Sequence, residues 1–496
     1  MWPFKKESVI TRTVRQFTKR SGFASSLADH IRSDWSTVSI SADQLIAKNL
    51  KTLRARSRDQ YYNNDYAKRF ITMVKVNTVG ENGVAVQSKV KDMRGNPDKA
   101  AQSAIEMKFK EWSTDPNYCD YKRRMNLKEI EDLAMATLAM DGEAFVQFCA
   151  DGPHGLTLKF IDPEQIDVNY FEKLGSGNFI RFGIEYDQSD RVVAYHVNQQ
   201  RGGVSPLGAD YEAINRTRVP AKDMRHIYLN EFADQHRGIP WMAPVLTHLK
   251  MLAGFEEASL VNARISASKM GFFTSKTGDE YVGEEVDGDY TTTAEAGMFE
   301  QIPEGLDFKA FDPSYPSGEF QVFCKQILRG IASGLGVSYN VLANDLEGVN
   351  FSAMRHGVVE ERELWKTIQA VLINQLVKPV FEEWLKRQHG LKTIEILSSS
   401  GQSKPLRQPY EYYKSARYQG RRWSWVDPLK EMQTNREANA LNTLSISEII
   451  RDRGKDPEEV FEEIAKDKEL LKSLGLGPLD AGLSDPSEEE NAKPQK

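Results

Sequence analysis

Between Lys276 and Phe308 the chain carries ten carboxylates (Asp279, Glu280, Glu284, Glu285, Asp287, Asp289, Glu295, Glu300, Glu304 and Asp307) against one lysine, and a long run with helical spacing lies on either side. Charge so dense and of one sign cannot clamp a polyanion such as DNA. The run before it, about Ala243 to Met270, has Val245, Leu246, Leu249, Leu252, Leu260 and Val261 on its apolar side. The run after it begins near Ser317 and repeats Phe320, Phe323, Ile327, Ile331 and Leu335 at three and four, with Lys325 and Arg329 on the opposite face and Gly336 placed to cap it. A helix, an acidic module with strand-like pieces at Met298 to Ile302 and Phe308 to Phe311, and a second helix therefore form the middle of the chain. The acidic stretch is either a solvated loop or a docking surface for a partner.

Upstream, helical spacing from Ser41 sets Leu45, Ile46, Leu50 and Leu53 on one side. The basic run Arg54, Arg56, Arg58 follows, and then a second helix through Tyr66, Phe70, Met73 and Asn77 that Gly80 and Gly83 stop. After a helix around Ile130 to Met140 the period changes, and Glu143 to Phe148, Leu156 to Ile161, Ile180 to Tyr186 and Val192 to His196 are expected as strands. The turn Asp187-Gln188-Ser189-Asp190 joins the last two. This makes the first half an α+β region. Downstream, Val337 to Asn350 is loop-like, and a third long helix runs from Ser352 past Trp384 with Val358, Trp365, Ile368, Leu372 and Leu376 as its stripe; Pro379 is expected to kink or break it. A strand at Thr393 to Leu397, a basic loop with Arg421 and Arg422, and helices from about Pro428 to Leu474 follow. The Glu-rich tail after Gly477 is expected to be disordered.

The 496 residues and 40% hydrophobic content suit a globular protein of two to four domains. No apolar run approaches the roughly 18 residues that span a bilayer, since Asn374 and Gln375 interrupt even Val371 to Val377, so no membrane partner is expected. The basic start, Met1 to Arg20, lacks the apolar core of a secretory signal and reads as a mobile arm. Cys119, Cys149 and Cys324 have no paired spacing, which fits a reducing compartment. A net charge of -6 argues against a protein that grips nucleic acid over its whole surface. His226, Glu231, Asp234 and His236 match no zinc spacing, and no Gly-x-x-x-x-Gly-Lys-[Ser/Thr] loop is present; the carboxylates of Asp162-Pro163-Glu164 and of Glu360, Glu361 and Glu363 suit a turn and a solvated helix face. Neither an enzyme nor a cofactor or metal is therefore expected.

Several stretches resemble, in order from about Leu53 to Leu474, the portal proteins of the lambda-like phage family. They are Arg54-Ala55-Arg56-Ser57-Arg58, Asp141-Gly142-Glu143-Ala144-Phe145, Val193-Ala194-Tyr195, Gln235-His236-Arg237-Gly238-Ile239-Pro240-Trp241, Ile331 to Val337, Trp423 with Val426 to Glu431, and Gly454-Lys455-Asp456. Two departures stand out. Asn350-Phe351-Ser352-Ala353-Met354-Arg355 replaces a pattern resembling Asn-Tyr-Ser-Ser-x-Arg, and Val79 to Gly83 is one residue longer than the family's turn.

The resemblance implies an α+β portal fold with wing, stem, clip and crown regions, long stem and tunnel helices, and closure into a ring. The corresponding partition is an N-terminal arm (1–50), an α+β wing (51–240), stem helix one (241–270), clip (271–316), stem helix two (317–338), tunnel loop and long kinked helix (339–389), wing return (390–427), helical crown (428–475) and disordered tail (476–496). It also implies a homododecamer at one capsid vertex, assembled in the host cytoplasm, that packages and ejects double-stranded DNA. Its implied partners are the terminase large subunit, head-tail connector proteins, and the major capsid and scaffolding proteins. Lys325, Arg329, Asn344 and Arg355 are the candidates facing DNA, although Lys325 and Arg329 equally suit a solvated or paired helix face; Glu284, Glu285, Asp287 and Asp289 are the candidates for motor docking. Another capsid or tail adaptor is the alternative.

Overall fold

Ser41 opens the first helix with a reciprocal cap, its hydroxyl accepting from Gln44 N at 3.3 Å while Gln44 Oε1 accepts from Ser41 N at 3.2 Å. The computed structural model describes residues 39–200, 211–267, 271–275, 306–310, 319–347, 350–397, 403–423 and 428–475. Helix α1 (Ala42–Asn63) buries Ile46 and Leu50 and continues through the basic run, so Arg54, Arg56 and Arg58 lie within it rather than between two helices. Asn64 then ends α1 and caps α2 (Asp65–Thr78), accepting from Tyr66 N and Ala67 N.

Strand β1 (Ala85–Ser88), helix α3 (Lys99–Thr114), the short α4 (Pro116–Cys119) and α5 (Leu127–Asp141) lead to β2 (Glu143–Cys149). β2 is buried on both faces: Ala144, Val146 and Phe148 join the main core and Phe145 joins a second one. β3 (Thr157–Ile161) pairs with one edge of β2. A five-stranded antiparallel sheet follows, in the order β4 (Glu172–Lys173), β5 (Phe179–Arg181), β6 (Ile184–Tyr186), β7 (Val192–Gln200) and β8 (Tyr211–Pro220). β9 (Met224–Tyr228) then pairs with the free edge of β2.

The strand expected over Ile180 to Tyr186 is a hairpin instead. Arg181 pairs with Ile184, and Phe182 (φ +56°) and Gly183 (φ +77°) turn the chain between them. Phe182 is buried with Ile46, Leu50 and Val168, and this packing holds a phenylalanine in a left-handed conformation that such a residue rarely adopts.

Helix α6 (Leu246–Ala267) starts three residues later than expected, after turns over 241–245, and is followed by β10 (Gly271–Ser275). β10 pairs antiparallel with β11 (Leu306–Ala310), which precedes α7 (Glu319–Leu335). The strand expected at Met298 to Ile302 lies outside the described residues. A side chain at Gly334 would meet Val245, and Phe255 stacks on Phe320 with centroids 5.4 Å apart, so α6 and α7 run antiparallel. Gly336 (φ +71°) ends α7 as expected. The segment expected to be a loop holds a short helix, α8 (Tyr339–Ala343).

Pro379 does not break the long helix. α9 (Phe351–Leu372) passes through a π turn over Ile373–Val377, where Lys378 N reaches back to Ile373 O, into α10 (Lys378–Leu391). The widened turn just before the proline accommodates its ring and missing N–H. Three glutamines pin this spine. Gln369 donates to Asn77 O and Arg421 O, Gln375 exchanges two hydrogen bonds with the main chain of Tyr228, and the buried Gln388 donates to His154 O at 2.5 Å. Trp365 is buried on the expected stripe and donates to Glu361.

β12 (Glu395–Leu397) pairs with β13 (Ser403–Pro405); after the short α11 (Tyr410–Tyr413), β14 (Ala416–Gln419) pairs with β1, far back in the chain. One apolar cluster consequently spans Ala67 to Tyr413. The C-terminal helices α12 (Pro428–Ala440), α13 (Ile446–Asp452) and α14 (Pro457–Ser473) add no described side chain to that cluster and expose Leu429, Met432, Phe461 and Leu470.

Within the main core, Glu131 is buried on α5 and accepts from Val84 N at 3.0 Å. Burial raises its carboxyl from 4.5 to about 8 against the opposing pull of that bond, so the folded state prefers the neutral acid. The resulting stability is complete below pH 4.5 and is lost as pH rises through 8, at about 1.4 kcal/mol per unit. Glu131→Gln should remove that slope, measured as the difference from wild type in urea midpoint across this range; parallel pH profiles would refute a buried neutral acid.

Candidate functional site

The four candidates for facing DNA separate into two places. Lys325 Nζ on α7 lies 2.8 Å from Asp345 Oδ2, and Arg329, one turn on, stands 5.7 Å from the Tyr339 ring centroid. Asn344 (φ +53°) ends α8 beside them, in the left-handed conformation that asparagine tolerates. Arg355, near the start of α9, instead faces Glu431 on α12 at 3.8 Å. Lys325 therefore takes the paired state that its sequence position left open. Tyr339 and Asp345 did not stand out in the sequence; the local signal was the Asp345 side chain accepting from Glu347 N, an Asx turn. Glu284, Glu285, Asp287 and Asp289 lie outside the described residues.

The histidines near the fourth motif serve different partners. His236 contacts Asp43 and Asp190, while His226 is stacked between Phe145 and Tyr228 and donates to Glu143. Asp162 holds Arg58 and caps a turn through Glu164 N, and Glu361 accepts from Trp365 and Ser338 N.

Three of the motifs that carry the family resemblance meet at Glu143, whose side chain is 0% exposed. Arg54 from α1 and Arg237 from the segment leading to α6 both bind its carboxylate, Arg237 Nη2 at 2.6 Å, and His226 Nε2 and Gly238 N donate at 2.8 and 3.0 Å. Arg237 Nη1 also donates to Ile166 O and Phe182 O, which ties the left-handed hairpin to the cluster. On α1, Arg54 Nε and Ser57 Oγ donate to Asp141 O and Met140 O, while Arg58 grips Asp141 through two bonds of 2.8 Å. These donors satisfy the last carbonyls of α5 and bring cations to its negative end.

The close approach depends on two glycines. Gly142 (φ +90°) caps α5, and a side-chain carbon there would sit 2.3 Å from Ile239 C; one at Gly238 would sit 2.0 Å from Gly142 O. Burial alone would raise the Glu143 carboxyl, but the Arg237 and Arg54 guanidiniums hold it well below its ordinary value. Burial lowers His226, which therefore acts as a neutral donor.

Glu143→Gln would leave two buried guanidiniums without their counter-charge, and we expect a loss of about 3–5 kcal/mol, measured as a fall in the urea midpoint. Because the folded carboxyl lies below its unfolded value, its contribution is present above pH 4.5 and fades below it, so the two proteins should converge in acid. A variant as stable as wild type at pH 7 would contradict this arrangement.

The profile of the lambda family of phage portal proteins matches residues 29–369. The chain is similar to the probable portal protein of Halomonas phage phiHAP-1, with 31% identity over 513 residues that cover 99% of this chain and 94% of that one. It is 22% identical to portal protein B of Escherichia phage lambda over 97% of this chain and 96% of that one, and 20% identical to the portal protein of Escherichia phage N15 over 96% of each. Among solved structures, it is similar to the neck of an empty gene transfer agent particle, with 14% identity and a TM-score of 0.45 over 83% of this chain and 94% of that one. All three stretches that build the buried cluster at Glu143 fall inside the matched span, and the chain belongs to the lambda family of phage portal proteins.

Proposed function

We propose that this portal protein closes into a dodecameric ring at one capsid vertex, with double-stranded DNA passing along its axis in packaging and ejection. In this reading the terminase large subunit and head-tail connector proteins dock on the ring, and the major capsid and scaffolding proteins are its further partners during assembly in the host cytoplasm. Its relatives are structural proteins rather than enzymes. The observation that carries the reading is the antiparallel pair α6 and α7. Its base is rooted in the core through Leu249, Leu252, Ile331 and Leu335, yet Met251, Leu260 (65% exposed), Val322 (69% exposed) and Phe323 face outward.

Apolar side chains of this size on paired helices suit cover by neighbouring subunits, each offering one face to the next and a different face to the previous. α6 and α7 are then the stem, 271–316 the clip, 339–389 the tunnel loop and helix, and 428–475 the crown. The exposed apolar residues of α12 to α14 suit burial against neighbours in the same way. Lys325, Arg329, Asn344 and Arg355 would make weak, transient phosphate contacts, as sliding DNA requires.

Negative-stain images of the purified protein should show rings with an axial hole of duplex width. Leu260→Glu and Val322→Glu should each cut ring yield while leaving the subunit's own melting transition in place; full ring yield from both would remove the stem from the subunit interface.

The acidic docking surface rests on the carboxylate excess between Lys276 and Phe308 and on the position of that segment between two helices. Replacing Glu284, Glu285, Asp287 and Asp289 with neutral isosteres should leave rings intact and reduce DNA packaging into proheads. Packaging by wild type should weaken as salt is raised, since exposed charges are screened beyond about 8 Å at physiological ionic strength. Normal packaging by the neutralised variant would return the segment to a solvated loop.

A further inference from the structure

Helix α7 is fastened to the turn after α8 by a single carboxylate. Asp345 Oδ2 takes the Lys325 ammonium at 2.8 Å and the Tyr339 hydroxyl at 2.7 Å, while Asp345 Oδ1 accepts from Glu347 N at 3.0 Å. The Asp345 N–H donates to Asn340 O at 3.1 Å, so the residue is held through main chain and side chain together. The Lys325 ammonium and the Arg329 guanidinium each stand 5.7 Å from the Tyr339 ring centroid, which puts two cations around one carboxylate and one aromatic face.

Lys325, with Tyr339 and Glu347 N, holds the Asp345 carboxyl at about 2, and burial followed by Asp345 pushes the Tyr339 phenol up to about 12. The carboxylate is thus charged and the phenol neutral throughout the ordinary pH range. Acid or base will not open the cluster there. Lys325 and Asp345 are both partly exposed, and an exposed ion pair is weakly held and screened by salt. Downstream of Asp345 only a short stretch leads to α9 at Phe351, so the clasp fixes one end of that connection.

We propose that Asp345 is a latch that keeps Lys325 neutralised and the turn over residues 345–347 fastened to α7, and that a DNA phosphate displaces it, freeing cation and turn together. The proposal rests on reading Lys325 and Arg329 as phosphate contacts. Asp345 is then a positioning residue that touches no DNA. It sets when the cation is available, and it lets a passing duplex meet less positive charge than a count of lysines and arginines suggests.

The test uses purified full-length protein and two readouts: the rate of limited proteolysis between residues 345 and 356, and binding to a short random-sequence duplex as salt is varied. Asp345→Asn should speed cleavage, tighten duplex binding several-fold, and steepen the salt dependence by about one ion for each subunit in contact. Lys325→Gln should also speed cleavage but weaken binding, and the double variant should bind no better than Lys325→Gln alone. Tyr339→Phe, which keeps the ion pair, should fall between wild type and Asp345→Asn in cleavage. Unchanged cleavage in Asp345→Asn overturns the latch. Equal tightening by Asp345→Asn with and without Lys325 overturns the coupling, because removing any carboxylate would then suffice. Faster cleavage in both single variants, with no duplex binding by any protein, retains the latch and overturns the phosphate reading beneath it.

Discussion

A carboxylate withdrawn from water is unfavourable by several kcal/mol unless every lone pair finds a donor, and Glu143 meets that condition with groups from three other stretches of chain. Arg54 brings α1, His226 brings β9, and Arg237 and Gly238 bring the segment that leads into α6, while Glu143 itself opens β2. The secondary bonds of Arg237 to Ile166 O and Phe182 O extend the same network into the five-stranded sheet. Once this cluster forms, the relative positions of two sheets, two helices and the root of the α6–α7 pair are no longer independent. Arg54, Asp141, Glu143 and Arg237 are each unfavourable alone in this interior and favourable only together.

A second scheme, built on neutral groups, holds the rest. Gln369, Gln375 and Gln388 lie along the α9–α10 spine, and each offers an amide to main-chain groups of a different neighbour. An amide can satisfy a buried carbonyl without the desolvation penalty of a charge, so the spine is pinned firmly but at discrete points. The π turn lies between Gln369 and Gln388, with Gln375 inside it bonded to the edge strand β9. A local widening that would otherwise loosen the helix is thereby tied to the sheet.

Apolar spacing made the helices legible because it is a local property: Ile46 and Leu50, Ile331 and Leu335, and Trp365 and Leu372 are all buried as their periodicity predicts. Pairings across long sequence separations were not legible, and β14 joins β1 through residues that carry no strong strand signal of their own. The turn at Phe182-Gly183 was missed because phenylalanine is not a turn residue; its conformation is imposed by packing and by Arg237. The sequence sets the basic run between two helices, and charge pattern alone does not reveal that it is helical or which of its arginines is buried. At the candidate site, the polar face of α7 was visible in the sequence, but the carboxylate that answers Lys325 lies twenty residues on, beyond any helical spacing.

The crossing of Gly142 and Gly238 has a mechanical meaning. Two backbones touch there with no side chain on either to bend, rotate or change rotamer, so the contact has almost no compliance. Side-chain contacts elsewhere can take up a small displacement; this one must pass it on undiminished. A tilt of the segment entering α6 therefore moves the end of α5 with it, and through the Asp141 carbonyl and carboxylate it reaches α1 as well. The joint behaves as a weld rather than a hinge, so any flexing of the α6–α7 pair has to occur farther along those helices.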